Sequence, residues 1–367
     1  MPTAFDPIEL GDLTLRNRIV MAPMSRSRSY GPAAMPTDMT VEYYRQRASG
    51  GLLITESIQP SPTGQGFPAT PGLYSEEQVA GWTRVTDAVH DAGGRIYAQI
   101  MHAGRIAHPV HLPEGQLPVA PSAVAAQTKV FSRQGPLDCV MPDPLSADGI
   151  SAVINEYAAA ARNAIRAGFD GVEIHAGNGF LVHQFLSDNA NLRTDEWGGS
   201  ETANRIRFAV ELTKAVAEAV GAARVGIQVT PGYDYNDMVE ANPDEVYLAL
   251  VDALNEIPLA YFAVSEGPNR PLTLALRAKW HGTFLLNAFT TPQPTGLAEL
   301  ALVEEGIADL LSFGALFLAN PDLPHRLEVG GPFNEPNRET YYGGDARGYV
   351  DYPTLDQLES ARHQAER

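Results

Sequence analysis

The feature that most constrains this chain is a repeated alternation. Short apolar runs rich in β-branched residues are separated by amphipathic segments, almost from end to end. The runs are Ile19–Met24, Leu52–Thr55, Ile96–Met101, Val172–His175, Val225–Thr230, Ala260–Ser265, Phe284–Phe289 and Leu310–Phe313. Most are continuously apolar, as parallel strands covered on both faces must be. Eight strand–helix units over 367 residues predict an α/β fold, the (β/α)₈ barrel. Two smaller α/β domains are the competing reading. No linker-like break in composition divides the halves, so residues 1–367 read as one domain.

Helix signals sit between the runs. Ser75-Glu76-Glu77-Gln78 reads as a capping box. From Asp148 the apolar residues Ile150, Val153, Tyr157, Ala161 and Ala164 recur on one helix face, and Gly168 stands where the helix must stop. Glu201 to Val220 repeats the design and ends at Gly221. Asn242-Pro243-Asp244-Glu245 supplies a capping side chain, a proline at the first helical position and acids in the first turn. Shorter helices are expected over Thr40–Ser49, Pro271–Trp280, Gln293–Glu305 and Pro321–Val329. The widest non-periodic stretch, Gly104–Ala147, follows the third strand and reads as a lid within the barrel domain.

Charge narrows the function. Lysine and arginine number 26 against 44 acids, a net charge of −18. Such a field repels phosphate backbones and anionic lipid, which argues against nucleic-acid and membrane-surface roles. No apolar run approaches the roughly 18 residues of a membrane span, and the N-terminus lacks a basic-then-apolar signal design. The single cysteine, Cys139, excludes an internal disulfide framework and a cysteine-based zinc site. The chain reads as soluble and cytoplasmic, with a homo-oligomer left open.

Several motifs are missing: no G-x-G-x-x-G opens a helix after a strand, and there is no P-loop, H-E-x-x-H or G-x-S-x-G elbow. His102, His108, His111 and Glu114 read as solvated loop or lid-contact residues rather than a metal site. Cys139 lies beside Asp138 and Asp143, whose charges raise a thiol pKa and argue against a nucleophile.

In a barrel the chemistry belongs at the carboxyl ends of the strands. The fourth run ends in His175, and Asn178 follows in a glycine-flanked turn. An imidazole and an amide at that spacing can aim two donors at one oxygen, lowering the barrier to a reaction that builds enolate charge there. The other reading is a histidine that satisfies loop carbonyls. The third and fifth strands bring Gln99 and Gln228, amides suited to a flat heteroaromatic ligand with imide-type edges, or to tying strands together.

Together these residues resemble the old yellow enzymes, FMN-dependent ene-reductases. The resemblance runs through Met21-Ala22-Pro23-Met24-Ser25-Arg26, Ile54-Thr55-Glu56, Gly64-Gln65-Gly66 to Pro71-Gly72, and Ala92-Gly93-Gly94-Arg95. It continues in Gln99, His102-Ala103-Gly104-Arg105, His175 to Asn178-Gly179, and Arg193-Thr194-Asp195-Glu196-Trp197-Gly198-Gly199-Ser200. Asn204-Arg205, Asn320-Pro321-Asp322-Leu323-Pro324 and Gly348-Tyr349-Val350-Asp351-Tyr352-Pro353 complete it. It implies FMN across the strand ends, reduced by NADH or NADPH, and hydride delivery to an activated alkene. It places Ser25 against flavin O4, Gln99 on the pyrimidine edge, His175 and Asn178 on the substrate carbonyl, and Tyr342 in the pocket wall. Pro23, Met24, Ser57, Gln228, Ala288, Gly314 and Ala315 fall on the remaining cofactor positions.

Four positions depart from the family pattern. Phe180 stands where most members carry the tyrosine that protonates the substrate. Gln228 replaces an arginine near flavin N1. Ala315 replaces the phosphate-binding arginine, and Ala288 occupies a glycine pair that admits the phosphate to the backbone. A nearby cation such as Lys279 offers compensation. The expectation is therefore an enone-directed oxidoreductase with a weakened or absent FMN site. The alternatives are a flavin-independent isomerase or cyclase that polarises an enone through His175 and Asn178, and a non-catalytic binding protein.

Overall fold

The computed structural model describes residues 2–31 and 33–365. Eight parallel strands close into a barrel: β1 Ile19–Met21, β2 Leu52–Ile54, β3 Ile96–Ile100, β4 Gly171–Ala176, β5 Val225–Val229, β6 Tyr261–Ser265, β7 Phe284–Asn287 and β8 Leu310–Phe313. Each pairs with the next, and β8 returns to β1 through Leu311 opposite Ile19. The expected (β/α)₈ barrel is the fold found.

The helices follow local chemistry. In α2, after α1 (Asp38–Arg45), Ser75 Oγ accepts the Gln78 N–H at 3.3 Å while Gln78 Oε1 accepts the Ser75 N–H at 3.1 Å, closing the box over Glu76–Asp91. Helix α3 (Ala147–Arg166) starts from Ser146, whose hydroxyl accepts the Gly149 N–H, two residues before the expected Asp148. Gly168 beyond its end adopts φ 90°, and Gly221 at the end of α4 (Thr202–Val220) adopts φ 91°, conformations costly for any other residue. α5 (Pro243–Leu254) and α6 (Arg270–Lys279) complete the long helices. Asn242 makes no side-chain cap, so proline and the acids alone begin α5.

Two expectations are corrected. Gln293–Glu305 is not one helix: Pro292, Pro294 and Gly296 hold a turn, and helical structure starts only at Leu297–Leu300, continuing as Ala301–Glu304. The stretch after β3 is not irregular throughout. Lys129–Ser132 and Gly135–Asp138 form an antiparallel hairpin, and Val130 packs with Met101, Ile106, Ala126 and Phe180 in a small core of its own.

Two features orient the site. A two-stranded piece, Ile8–Leu10 with Leu13–Leu15, packs Leu10 and Leu15 against Val20, Leu52, Tyr97 and Leu310, filling the amino end of the barrel with apolar side chains. Near the carboxyl end, the segment 340–349 is tied down by buried arginines. Arg26 donates to the Tyr341 and Gly348 carbonyls at 3.0 and 2.8 Å, and Arg28 donates to the Thr340 carbonyl at 3.0 Å. Among the described residues, no helix is long and apolar enough to cross a membrane.

Candidate active site

With one end of the barrel filled, the open volume lies at the other. A cavity of about 690 Å³ opens there, within the usual range for small-molecule sites. Pro23, Met24, Ser25, Ser57, Gln99, His175, Asn178, Phe180, Gln228, Gly314, Ala315 and Tyr342 all line it. Ala288 does not. It is buried in the core while its neighbour Asn287 faces the cavity, because side chains alternate faces at a strand end. Lys279 is also misplaced by the sequence reading. It ends α6, which runs back toward the amino end of the strands, and pairs with Asp252 at 2.7 Å.

His175 is buried, and Nδ1 accepts the Gly177 N–H at 3.3 Å, which leaves the ring hydrogen on Nε2. Burial, with a smaller contribution from His183, pulls its pKa down to about 3, so the ring is neutral. Nε2 lies 3.5 Å from Asn178 Nδ2. Two nitrogens that both carry hydrogen do not bond to each other; they point at a common space. The imidazole takes a loop N–H through Nδ1, and no loop carbonyl meets its Nε2 among the described residues. Asn178 is held in the left-handed region, φ 52°, by its N–H on Thr230 Oγ1 at 2.8 Å and its carbonyl on Asn236 Nδ2 at 2.8 Å. Asparagine tolerates that conformation better than most residues. Phe180 packs its ring edge on the His175 ring, centroids 5.1 Å apart, and offers no exchangeable proton.

The two amides do tie strands together. Gln99 accepts Ser57 Oγ at 2.5 Å and donates Nε2 to Glu173 Oε1 at 2.8 Å and to Gln228 Oε1 at 3.4 Å. Glu173 is thus a functional candidate that the sequence reading passed over. A signal existed, because Glu173 and His175 are two apart on a buried strand and must face the same interior. Its second oxygen accepts the Tyr261 hydroxyl at 3.0 Å. Burial pushes its carboxyl up to about 7, with the Gln99 and Tyr261 hydrogen bonds opposing. Also unforeseen are the aromatic mouth residues Tyr30 and Tyr235 and the hairpin tip, where Phe131, Ser132 and Arg133 reach the cavity. Among the described lining residues Arg133 is the one cation and Glu173 the one carboxylate.

The loop histidines separate. His102 is fully buried rather than solvated. Its Nδ1 accepts the Gly104 N–H at 3.0 Å, and burial lowers its pKa to about 4. His111 Nε2 meets the Phe131 carbonyl at 2.8 Å, a contact within the excursion, while His108 Nδ1 accepts the Val110 N–H at 3.3 Å. The Cys139 thiol is pushed up, chiefly by burial; Asp138 and Asp237 add to the rise and Arg105 opposes it.

Residues 3–334 match the model of the NADH:flavin oxidoreductase / NADH oxidase family. The chain belongs to the old yellow enzyme family. It is 40% identical over 365 residues to 12-oxophytodienoate reductase 1 of Oryza sativa subsp. japonica, covering 96% of this chain and 93% of that one. Morphinone reductase in complex with tetrahydroNAD superposes with a TM-score of 0.91 at 39% identity, covering 98% of this chain and 99% of the other. An old yellow enzyme homologue from Zymomonas mobilis gives 0.91 at 37% identity, covering 96% and 100%. As an old yellow enzyme the chain is a flavin oxidoreductase, and its residues can be tested against FMN. The ring end fits: Ser25, Ser57 and Gln99 converge with His175 and Asn178 on one cavity. The phosphate end fits by backbone alone. A short helix, Ala315–Ala319, follows β8 as in barrel phosphate sites, and a side chain built at Gly314 would meet nothing nearer than Met24 Sδ at 3.9 Å. No described side-chain cation stands there.

Proposed function

We propose that this enzyme reduces the C=C bond of α,β-unsaturated carbonyl compounds at the expense of NADH or NADPH, with FMN held less firmly than in a site with a phosphate cation. The observation that carries the reading is the convergence of two neutral donors, His175 Nε2 and Asn178 Nδ2, 3.5 Å apart. Donors aimed at one carbonyl oxygen are worth most when that oxygen gains enolate charge. Fixing the oxygen also fixes the alkene beside it, so reaction geometry comes from binding. Relatives named for 12-oxophytodienoate and morphinone support an oxo or ketone substrate, and the tetrahydroNAD complex of morphinone reductase supports a nicotinamide reductant.

When bound, FMN supplies a two-electron carrier between the nicotinamide and the alkene. Ser25, Ser57 and Gln99 would hold its ring, and the backbone at Gly314 and Ala315 its phosphate. Gln228 offers an amide where charge appears on reduction, so it hydrogen-bonds without supplying a counter-charge. Phe180 cannot donate the proton that completes saturation. That proton comes from water or from another hydroxyl at the mouth, where Tyr30, Tyr235 and Tyr342 are partly exposed. A soluble cytoplasmic protein is the matching cellular setting for a nicotinamide-dependent reductase.

The cation-free phosphate end favours one second reading, a flavin-independent isomerase or cyclase working through the same two donors. One experiment separates them. Purified protein that is yellow, and that consumes an enone only with NADH or NADPH, supports the reductase. Colourless protein that converts an enone without any reductant overturns it.

A further inference from the structure

The floor of the cavity carries a carboxyl whose surroundings serve it in either protonation state. Glu173 Oε1 accepts from Gln99 Nε2, a group that can only donate. Oε2 faces the Tyr261 hydroxyl, which can donate to a carboxylate or accept from a carboxylic acid. Neither bond has to break when the proton arrives. Tyr261 reaches this position from β6 only because Gly226 lies in register between it and Glu173; a Cβ there would stand 2.2 Å from the tyrosine Cζ.

Among the described residues, no fixed charge answers Glu173 from the strands packed around it. β3 presents Gln99, the segment after β2 presents Ser57, β5 presents Gln228 and β6 presents Tyr261. Tyr97 of β3 adds a phenol beside the Tyr261 ring, centroids 5.8 Å apart. Its own strand adds His175, which is neutral. The remaining lining cation, Arg133, is exposed on the hairpin tip rather than at the floor. An anion in this cavity would therefore face a carboxylate with no cation between them, unless that carboxylate takes a proton.

We propose that Glu173 is the titrating charge partner of the cavity, so that an oxyanion held by His175 and Asn178 is bound together with one proton that comes to rest on Glu173. This rests on the reading of those two residues as the oxygen-binding pair. It makes binding of a phenolate or enolate proton-linked, a role that an arginine would otherwise fill without a proton. Nothing is oxidised or reduced: a proton leaves solvent and a carboxylate becomes a carboxylic acid.

The probe is p-nitrophenolate, whose absorbance reports its own ionisation while calorimetry in buffers of different ionisation enthalpy counts protons. At a pH about one to two units above neutral, the wild-type protein should bind it in the yellow phenolate form and take up close to one proton. Its affinity should fall about tenfold per further pH unit. Glu173→Gln should bind with pH-independent affinity and take up none. Tyr261→Phe removes a donor to the carboxylate, so uptake should persist to higher pH. Unchanged uptake in Glu173→Gln, or binding by wild type with no uptake, overturns the proposal, as does failure of wild type to bind. Normal proton uptake with binding that His175→Ala and Asn178→Gly leave untouched would instead overturn the assignment of the oxygen-binding pair.

Discussion

Two buried carboxyls, Glu56 and Glu173, are both pushed up to about 7 by burial, yet they sit in opposite surroundings. Glu56 accepts the Arg26 N–H at 3.1 Å and feels the charges of Arg26 and Arg28. Around it the guanidiniums of Arg26, Arg28 and Arg47 lie over the rings of Tyr43 and Tyr349, with Arg47 3.9 Å from the Tyr43 centroid. Glu173 meets one amide, Gln99, and one phenol, Tyr261. This acidic chain concentrates buried cations where they pin backbone carbonyls and leaves its cavity floor without one. The first region is built to stay fixed, and the second can change charge.

The largest expected effect tests the fixed region. Arg47 is fully buried and donates to the Tyr43 and Leu318 carbonyls at 2.8 and 2.6 Å. Arg47→Ala should cost about 3–5 kcal/mol of unfolding free energy, since it orphans both carbonyls and opens a void. Arg133→Ala at the exposed hairpin tip should stay within about 0.5 kcal/mol. Denaturant midpoints of equal size in the two variants would erase the distinction between the regions.

Next comes the changeable region. A carboxyl raised from 4.5 to about 7 stabilises the fold fully below the unfolded value and loses that contribution as pH climbs through the folded one. Glu173→Gln abolishes the titration, so its stability relative to wild type should rise between about pH 4.5 and 7 and then level off. The shift is on the order of 3 kcal/mol. Urea unfolding at several pH values checks it, and a flat difference would mean Glu173 is ionised throughout. At the phosphate end, Ala315→Arg should tighten FMN binding by about 1.5–3 kcal/mol, roughly ten- to 150-fold by equilibrium dialysis. Dialysis-resistant, stoichiometric FMN in the wild-type protein would show that the backbone there suffices.

The barrel was legible because its signals are local. A continuous apolar run needs cover on both faces, and Ser75 with Gln78 or Pro243 with its acids fixes where a helix begins. Most cavity residues were legible too, since barrel geometry sends strand ends to one mouth. Three kinds of residue were not. Ala288 stands one step from the lining residue Asn287, enough at a strand end to turn its side chain into the core. Arg133 and Phe131 reach the cavity from a hairpin whose turn, Ser132-Arg133-Gln134-Gly135, was lost in a proline-rich stretch. Glu173 shares the interior face of its strand with His175, but that spacing gives only its direction; its partners come from β3 and β6.

The smallest effects test the donors themselves, and Asn178 needs care. At φ 52° an alanine adds backbone strain to the loss of the amide, so Asn178→Ala would mix two causes. Asn178→Gly removes the amide and keeps the conformation, and the N–H on Thr230 and the carbonyl on Asn236 remain available. His175→Ala removes the other donor but leaves the Gly177 N–H without its acceptor and exposes the edge of Phe180. Each should weaken a bound phenol or enone by about 1–3 kcal/mol, the cost of leaving one buried oxygen short of a partner. The two losses should not add, because both donors serve one atom. A double variant that loses no more than about one further kcal/mol beyond the worse single would place them on the same oxygen. Strict additivity would place them on different atoms of the ligand and remove the basis for a shared enolate site.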